Sequence, residues 1–381
     1  MDTTTPEQTI VDRLRAQIPL VGLPGVRFSQ VNDAPAEPFD VTFLIESGSS
    51  RVLVFGEIKP SFTPKALEGI APWIARLKTV QPDAAFVIIT AYLSQQAQEF
   101  CIENKIDFID LSGNISINVP GRFVLRRLGM KGRQALDART SPRILDVYSG
   151  RASRVLRVLL QKPGQWSLTA IAAELTNQSR DNPFSKDVSV TDPGLRFEIS
   201  LGTISKAIAT LEQELFIRRR DSAILVPEPR RLLTRWAEKY KERYRWRLRS
   251  SFTCPNPFGN DPVAINQALN SLSPNSYAFT GAAAAVLGAP FVDLDVIDLF
   301  VSSPESAQRF RQLKSRASSG PEIRFLYPYD FGVFMYARQQ SGVPLVSNVQ
   351  DYLDLYARGG RDLKQAEYLL ENRILPTWAP K

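Results

Sequence analysis

SLGTISKAIATLEQELFIRRRDSAILV, residues Ser200 to Val226, decides how this chain is read. Ser200 is a residue type that caps helix starts, and Leu201, Ile204, Ile208, Leu211 and Leu215 follow it at helical spacing. Gly202, Thr203, Ser205, Lys206, Ala209 and Thr210 are left on the other face. They are small, polar and partly basic, as suits a helix laid in a major groove. Arg218, Arg219 and Arg220 then lead into the β-prone stretch 223–226, which predicts a hairpin wing whose arginines reach phosphate.

Upstream, RASRVLRVLLQKPGQWSLTAIAAEL, Arg151 to Leu175, predicts two earlier helices. Val155, Leu156, Leu159 and Leu160 are the apolar side of the first, which stops at Pro163-Gly164; Leu168, Ile171, Ala172 and Leu175 are that of the second. The order predicts a winged helix-turn-helix over residues 145–250. Residues 176–199 form an insertion, either an ordered flap or a loop, where such motifs usually spend about three or four residues. Downstream, Pro229 to about Ser250 carries an apolar stripe, Leu233, Trp236, Tyr240, Tyr244 and Leu248. Beside it runs a basic one, Arg231, Arg235, Lys239, Arg243 and Arg247. Between Arg218 and Arg249 twelve basic residues face four acidic ones, the equivalent of the whole chain's net charge of +8. A positive field confined to one segment points to double-stranded DNA as partner.

The 381 residues exceed one ordinary core and imply two or three domains, with three expected here. No apolar run reaches the roughly 20 residues of a membrane span, and MDTTTPEQTIVDRLR at the start has neither a basic nor a greasy leader segment. The expectation is a cytoplasmic protein with no membrane partner. Two cysteines, Cys101 and Cys254, make neither a disulfide framework nor a zinc site. Histidine is absent, which excludes a Ser-His-Asp triad and any imidazole base. Catalysis would have to run on carboxylates, lysines, hydroxyls or metal-bound water.

Residues 1–135 alternate helix and strand, predicting a mixed sheet flanked by helices. A hairpin turn centred on Gly48-Ser49 sets Asp40 opposite Glu57, and strand alternation sets Lys59 on the face of Glu57. Two carboxylates can hold a divalent metal, with Mg2+ the natural ion, and the lysine can position an attacking hydroxide. This Asp…Glu-x-Lys pattern resembles the PD-(D/E)XK restriction-endonuclease-like fold. The resemblance implies metal ligation by Asp40 and Glu57 and catalysis by Asp40, Glu57 and Lys59, with Glu7 or Asp12 as the additional acid of the first helix.

Three stretches together resemble the longer form of the AbiEi-type antitoxins of type IV toxin-antitoxin systems. They are AYLSQQAQEFCIENKIDFIDLSGNISI (Ala91 to Ile117), with its turn at Asp110 to Asn114; ISLGTISKAIATLEQELFI with the later LLTRWAEKY; and VPLVSNVQDYLDLYARGGRDLKQAEYLL (Val343 to Leu370), around Tyr352, Asp354, Gly359, Gly360, Arg361 and Ala366. The insertion at 176–199 departs from that pattern. In residues 251–381 an α/β domain is expected. Thr280-Gly281-Ala282 and Asp293-Leu294-Asp295 faintly resemble the nucleotidyltransferase signature, without its serine or a third acid, so that layer is expected to be inactive. The resemblance implies a bacterial promoter-binding repressor that neutralises a nucleotidyltransferase-like toxin, and a homodimer is compatible with it. The alternative is a Mg2+-dependent DNA endonuclease targeted by the winged helix.

Overall fold

The computed structural model describes residues 6–32, 39–59, 62–130, 145–186, 196–248, 252–287, 294–315 and 318–378. It divides into two compact units, Met1–Ile144 with Glu212–Leu215, and Leu145–Leu211 with Phe216–Lys381. Each is an α/β assembly with a mixed sheet.

In the first unit, helix α1 (Pro6–Arg15) precedes strands β1 (Val26–Asn32), β2 (Val41–Ser47) and β3 (Ser50–Ile58). Helix α2 (Pro64–Val80), β4 (Ala85–Thr90), α3 (Gln95–Glu103), β5 (Asp107–Asp110), β6 (Ile115–Val119) and β7 (Phe123–Arg127) follow. The seven strands lie in sequence order; β3, β4 and β5 are parallel and the outer pairs antiparallel. Strand alternation divides the apolar residues between two faces. Val52, Val54 and Ile58 pack with Ile10, Val11 and Leu14 of α1. Phe55, Phe86 and Ile88 pack with Leu67 and Ile74 of α2 and Ala97 and Cys101 of α3. Thr63 and Ser94 cap α2 and α3, accepting from the amides of Ala66 and Ala97 at 3.3 and 3.2 Å. Strand β7 is not expected from the sequence, because its apolar run, Phe123 to Leu125, is only three residues long before Arg126 and Arg127.

The second unit opens with α4 (Ser153–Gln161), α5 (Leu168–Asp181) and the short α6 (Pro183–Lys186). Helix α7 (Leu201–Gln213), whose last two residues are counted with the first unit, a hairpin of β8 (Arg218–Arg220) and β9 (Ala223–Leu225), and α8 (Pro229–Leu248) come next. A second sheet is built from β10 (Phe252–Cys254), β11 (Tyr277–Thr280), β12 (Val296–Val301), β13 (Glu322–Leu326), β14 (Arg338–Gln340) and β15 (Val343–Leu345), in the order β10-β13-β12-β11-β15-β14. Its helices are α9 (Pro262–Leu272), α10 (Ala282–Val286), α11 (Pro304–Phe310), α12 (Asn348–Arg358), α13 (Arg361–Leu369) and, after a π-helical turn at Leu370–Ile374, α14 (Leu375–Trp378). Tyr277, Phe279, Leu299 and Phe325 face α9 and α11, with Ile265, Leu269 and Phe310 among their neighbours.

The opposite face of that sheet corrects the expected division at residues 250 and 251. Ala278, Phe300 and Leu326 belong to one apolar core with Val155 and Leu159 of α4, Leu233 and Trp236 of α8, and Leu353 and Leu355 of α12. Residues 145–250 and 251–381 therefore share a core and are not separate domains. The insertion at 176–199 contributes to this. Helix α5 continues through it to Asp181, and Phe184 and Phe197 stack on Phe334 and Phe331 at ring separations of 4.5 and 5.3 Å. The Asn182 amide donates to the Phe334 carbonyl at 2.7 Å. Of the insertion, residues 187–195 lie outside the described ones.

Candidate functional site

Helix α7 starts as expected, with Ser200 Oγ accepting from the Thr203 amide at 3.1 Å. Ile204, Ala207, Ile208 and Leu211 are buried. Ala207 widens the buried face, and the exposed face turns accordingly. Leu201, assigned to the core from its spacing, is 51% exposed. Thr210, assigned to the outer face, is buried, and its hydroxyl donates to the Lys206 carbonyl one turn earlier at 3.0 Å. Gly202 and Lys206 are exposed and Thr203, Ser205 and Ala209 half-buried. The accessible face is thus the first half of the helix, with an apolar side chain at its tip.

The hairpin pairs Arg218 with Leu225, Arg219 with Ile224 and Arg220 with Ala223, around a turn in which Asp221 takes a φ of 54°. All three arginines are exposed, while Ile224 is buried. Trp166, just before α5, adds a bridge to Ile224, with reciprocal amide–carbonyl bonds of 3.0 and 2.7 Å. The sequence signal for this bridge is an aromatic residue beside the N-cap Ser167.

The basic stripe of α8 is largely committed within the chain. Arg235 is only 11% exposed and pairs with Glu238 at 3.2 Å. Lys239 pairs with Glu242 at 3.1 Å and Arg243 with Asp146 at 2.6 Å. Arg231 is exposed and lies over the Phe216 ring at 5.6 Å. The packing stripe is buried as expected at Leu233, Trp236 and Tyr240. The side chains of Tyr244, Arg247 and Leu248 lie outside the described residues. Arg235 is therefore corrected from a phosphate contact to a packed side chain.

In the first unit, Val41 pairs with Gly56 and Ser47 with Ser50, so Asp40 lies opposite Glu57. The Asp40 amide donates to the Gly56 carbonyl at 3.0 Å, and its Oδ2 accepts from the Ile58 amide at 2.7 Å. The exposed Lys59 pairs with the half-buried Glu57. These residues sit at the carboxyl end of the parallel strands β3, β4 and β5, the edge where open α/β sheets collect ligands. No cluster of three or more metal-ligating side chains occurs among the described residues. Glu57 alternates onto the α2 and α3 face, whereas α1 packs on the other, so neither Glu7 nor Asp12 completes the pair; Asp12 pairs with Arg15 at 3.5 Å. Two carboxylates suffice for a Mg2+ that keeps most of its waters.

The turn at Asp110 to Asn114 is a buried clasp. Asp110 accepts from the amides of Leu93 and Asn114 and from the Asn114 side chain, at 3.1, 2.9 and 2.8 Å. Burial raises its pKa, and the bonds from Asn114 and Leu93 oppose that. Asn114 in turn exchanges hydrogen bonds with the Met130 backbone at 2.9 and 2.8 Å.

In the second unit, Asp298 of β12 lies opposite Thr280 and accepts Arg324 bidentately at 2.7 and 2.8 Å and Arg358 at 2.7 Å. Asp295 is exposed; Asp293 lies outside the described residues. Asp354 is buried and accepts from Tyr240, from Thr280 at 2.6 Å and from Gln350 at 2.8 Å. Tyr352 and Ala366 are buried, Gly359 and Gly360 take φ values of 70° and 58° between α12 and α13, and Arg361 is exposed. Among the described residues no helix is long and apolar enough to cross a membrane.

No family model and no curated protein matches the chain. A solved structure of EndoMS in apo form is similar to it at 15% identity over 25% of this chain, with a TM-score of 0.19. The match spans 44% of that chain, less than half its length, and is too slight to define a shared fold.

Proposed function

We propose that this chain is a sequence-specific DNA-binding transcriptional regulator. Its helices α4, α5 and α7 and the β8–β9 hairpin act as a winged helix-turn-helix. The observation that carries the reading is the outward set at the start of α7, Leu201, Gly202 and Lys206, in one unit with the exposed arginines of β8. Recognition helices read base edges with their N-terminal residues. Lys206 can donate to a guanine edge, Leu201 can meet a thymine methyl, and Gly202 lets the backbone approach.

By its resemblance to AbiEi-type antitoxins, the chain represses its own promoter in the bacterial cytoplasm, as a monomer or a homodimer, and neutralises a nucleotidyltransferase-type toxin. Its own C-terminal layer is a nucleotidyltransferase-like sheet without transferase activity. This follows from the signature at Thr280–Ala282 and Asp293–Asp295, which lacks its serine and a third acid. The test is a gel shift on the DNA upstream of its own gene. Lys206→Ala is expected to lose roughly 1–3 kcal/mol of discrimination between that DNA and random duplex. Equal loss on both sequences, or no binding at low salt, overturns the reading.

A second reading, a Mg2+-dependent PD-(D/E)XK-type nuclease, is favoured by the placement of Asp40 opposite Glu57 beside Lys59. Asp40 and Glu57 would hold the ion, which would supply a bound hydroxide; Lys59 would steady charge at the attacked phosphate. Supercoiled DNA incubated with Mg2+ should then be cut by the native chain and not by Glu57→Ala. Cutting by both, or by neither, removes this reading.

A further inference from the structure

A cavity of about 330 Å³ opens in the first unit where the C-terminal ends of α2 and α3 meet β5, β6 and β7. It stands at the amino end of the parallel strands, opposite to Asp40 and Glu57. Cys101, Ile102 and Ile106 supply an apolar wall, and the described lining also holds five charged side chains. Lys78 is 2.7 Å from the buried Asp107, whose other oxygen accepts from the Asn118 amide at 3.0 Å. Asp83 pairs at 2.9 Å with Arg122, which is outside the lining. Both carboxylates are thus committed to cations. Lys105 and Arg126 are exposed, and neither meets an acid among the described residues. Lys105 follows α3 and Arg126 is on β7, so two cations border the apolar wall from different elements.

We infer that this cavity binds a small aliphatic monocarboxylate. An arginine fork pairs with a carboxylate through two parallel hydrogen bonds, and a lysine adds a compact point charge on a flexible stem. Lys78, Lys105 and Arg126 against Asp83 and Asp107 leave the described lining with one positive charge in excess, which balances a monoanion and not a dianion. The apolar wall suits the hydrocarbon part of such a ligand, and a volume near the lower limit of ordinary ligand pockets restricts it to a compact molecule. The site depends on neither functional reading of the chain.

Calorimetric titration of the full chain with isovalerate, isovaleramide and inorganic phosphate tests the inference. Saturable binding is expected for isovalerate, weaker binding for inorganic phosphate and none for the uncharged amide. Arg126→Gln and Lys105→Gly should each weaken isovalerate binding about tenfold, the effect of losing one hydrogen bond to a charged group. Both positions are exposed, and glycine accepts the Lys105 φ of 55° without strain, so thermal stability should be preserved. Isovaleramide or phosphate binding as tightly as isovalerate, affinity unchanged in either variant, or no saturable isovalerate binding at millimolar concentration overturns the inference.

Discussion

Asp351 is wholly buried in α12, and its carboxylate oxygens make no close hydrogen bond among the described residues. Burial raises its pKa to about 8; Asp354 and Asp362 add to the effect, and Arg338 and the Gly281 backbone oppose it. The unfolded chain releases this proton near the ordinary value of 3.8, whereas the folded chain keeps it to about 8. Stability from this group is therefore complete below the lower value and drains away as pH rises to the upper one. The slope is at most about 1.4 kcal/mol per pH unit. Asp351→Asn imitates the protonated side chain and should flatten that decline. Urea midpoints at about pH 5 and about pH 8 check this, and parallel losses in both proteins would refute it. Gly113 offers a second residue-scale expectation. Its φ is +95°, and a Cβ there would collide with the Arg127 guanidinium and stand 3.3 Å from the Pro19 carbonyl. Arg127 holds Gly113 and Val21 through their carbonyls at 2.7 Å each, so it cannot withdraw freely. Gly113→Ala should destabilise the first unit by about 2 kcal/mol or more, read from its thermal transition.

Among elements, the hairpin and α8 carry comparable charge but present it differently. Arg218 and Arg220 are exposed on β8, whereas Arg235, Lys239 and Arg243 of α8 meet Glu238, Glu242 and Asp146. Replacing both hairpin arginines by glutamine should lower affinity for any duplex and reduce the slope of log affinity against log salt by roughly 2. Arg235→Gln should leave that slope unchanged. A salt series in fluorescence anisotropy separates the two outcomes, and equal slope changes would return α8 to the interface. This contrast was not legible in the sequence. Spacing alone located α4, α7 and the apolar side of α8, because local periodicity decides which residues form a helix stripe. Which charges remain in solvent is decided by acids brought alongside, such as Asp146, nearly a hundred positions from Arg243. The boundary residues of α7 misled for a related reason. Leu201 precedes the packed turn, and Ala207 draws Thr210 inward, so the stripe was found and its edges were not. The Asp40–Glu57 register, by contrast, followed from one turn position and simple alternation.

For the second unit as a whole, the question is what joins its helical half to its sheet. Arg154 and Arg157 are buried on α4, and both reach across more than 170 positions. Arg154 grips Asp330 bidentately at 2.8 and 2.6 Å, while Gly332 donates to the same carboxylate. A side chain at Gly332 would stand 2.5 Å from that oxygen, which keeps the position to glycine. Arg157 donates to Tyr329 and Gln350 at 2.8 and 2.6 Å and lies over the Trp236 ring at 5.2 Å. Breaking a buried pair from one side costs roughly 3–5 kcal/mol, a large part of the roughly 5–15 kcal/mol that holds a typical domain. A fragment ending at residue 250 would lose both sets of partners together with the Phe331 and Phe334 rings. It should therefore lack fixed near-ultraviolet dichroism, even though it contains every residue of α7 and β8 proposed to face DNA. In the full chain under rising urea, the amides of α4, α8, β12 and α12 should lose hydrogen-exchange protection together, since one apolar core contains residues from all four. If α4 and α8 opened at lower denaturant than β12, the helical half would be a domain in its own right, and the shared core would not bind the two halves into one cooperative structure.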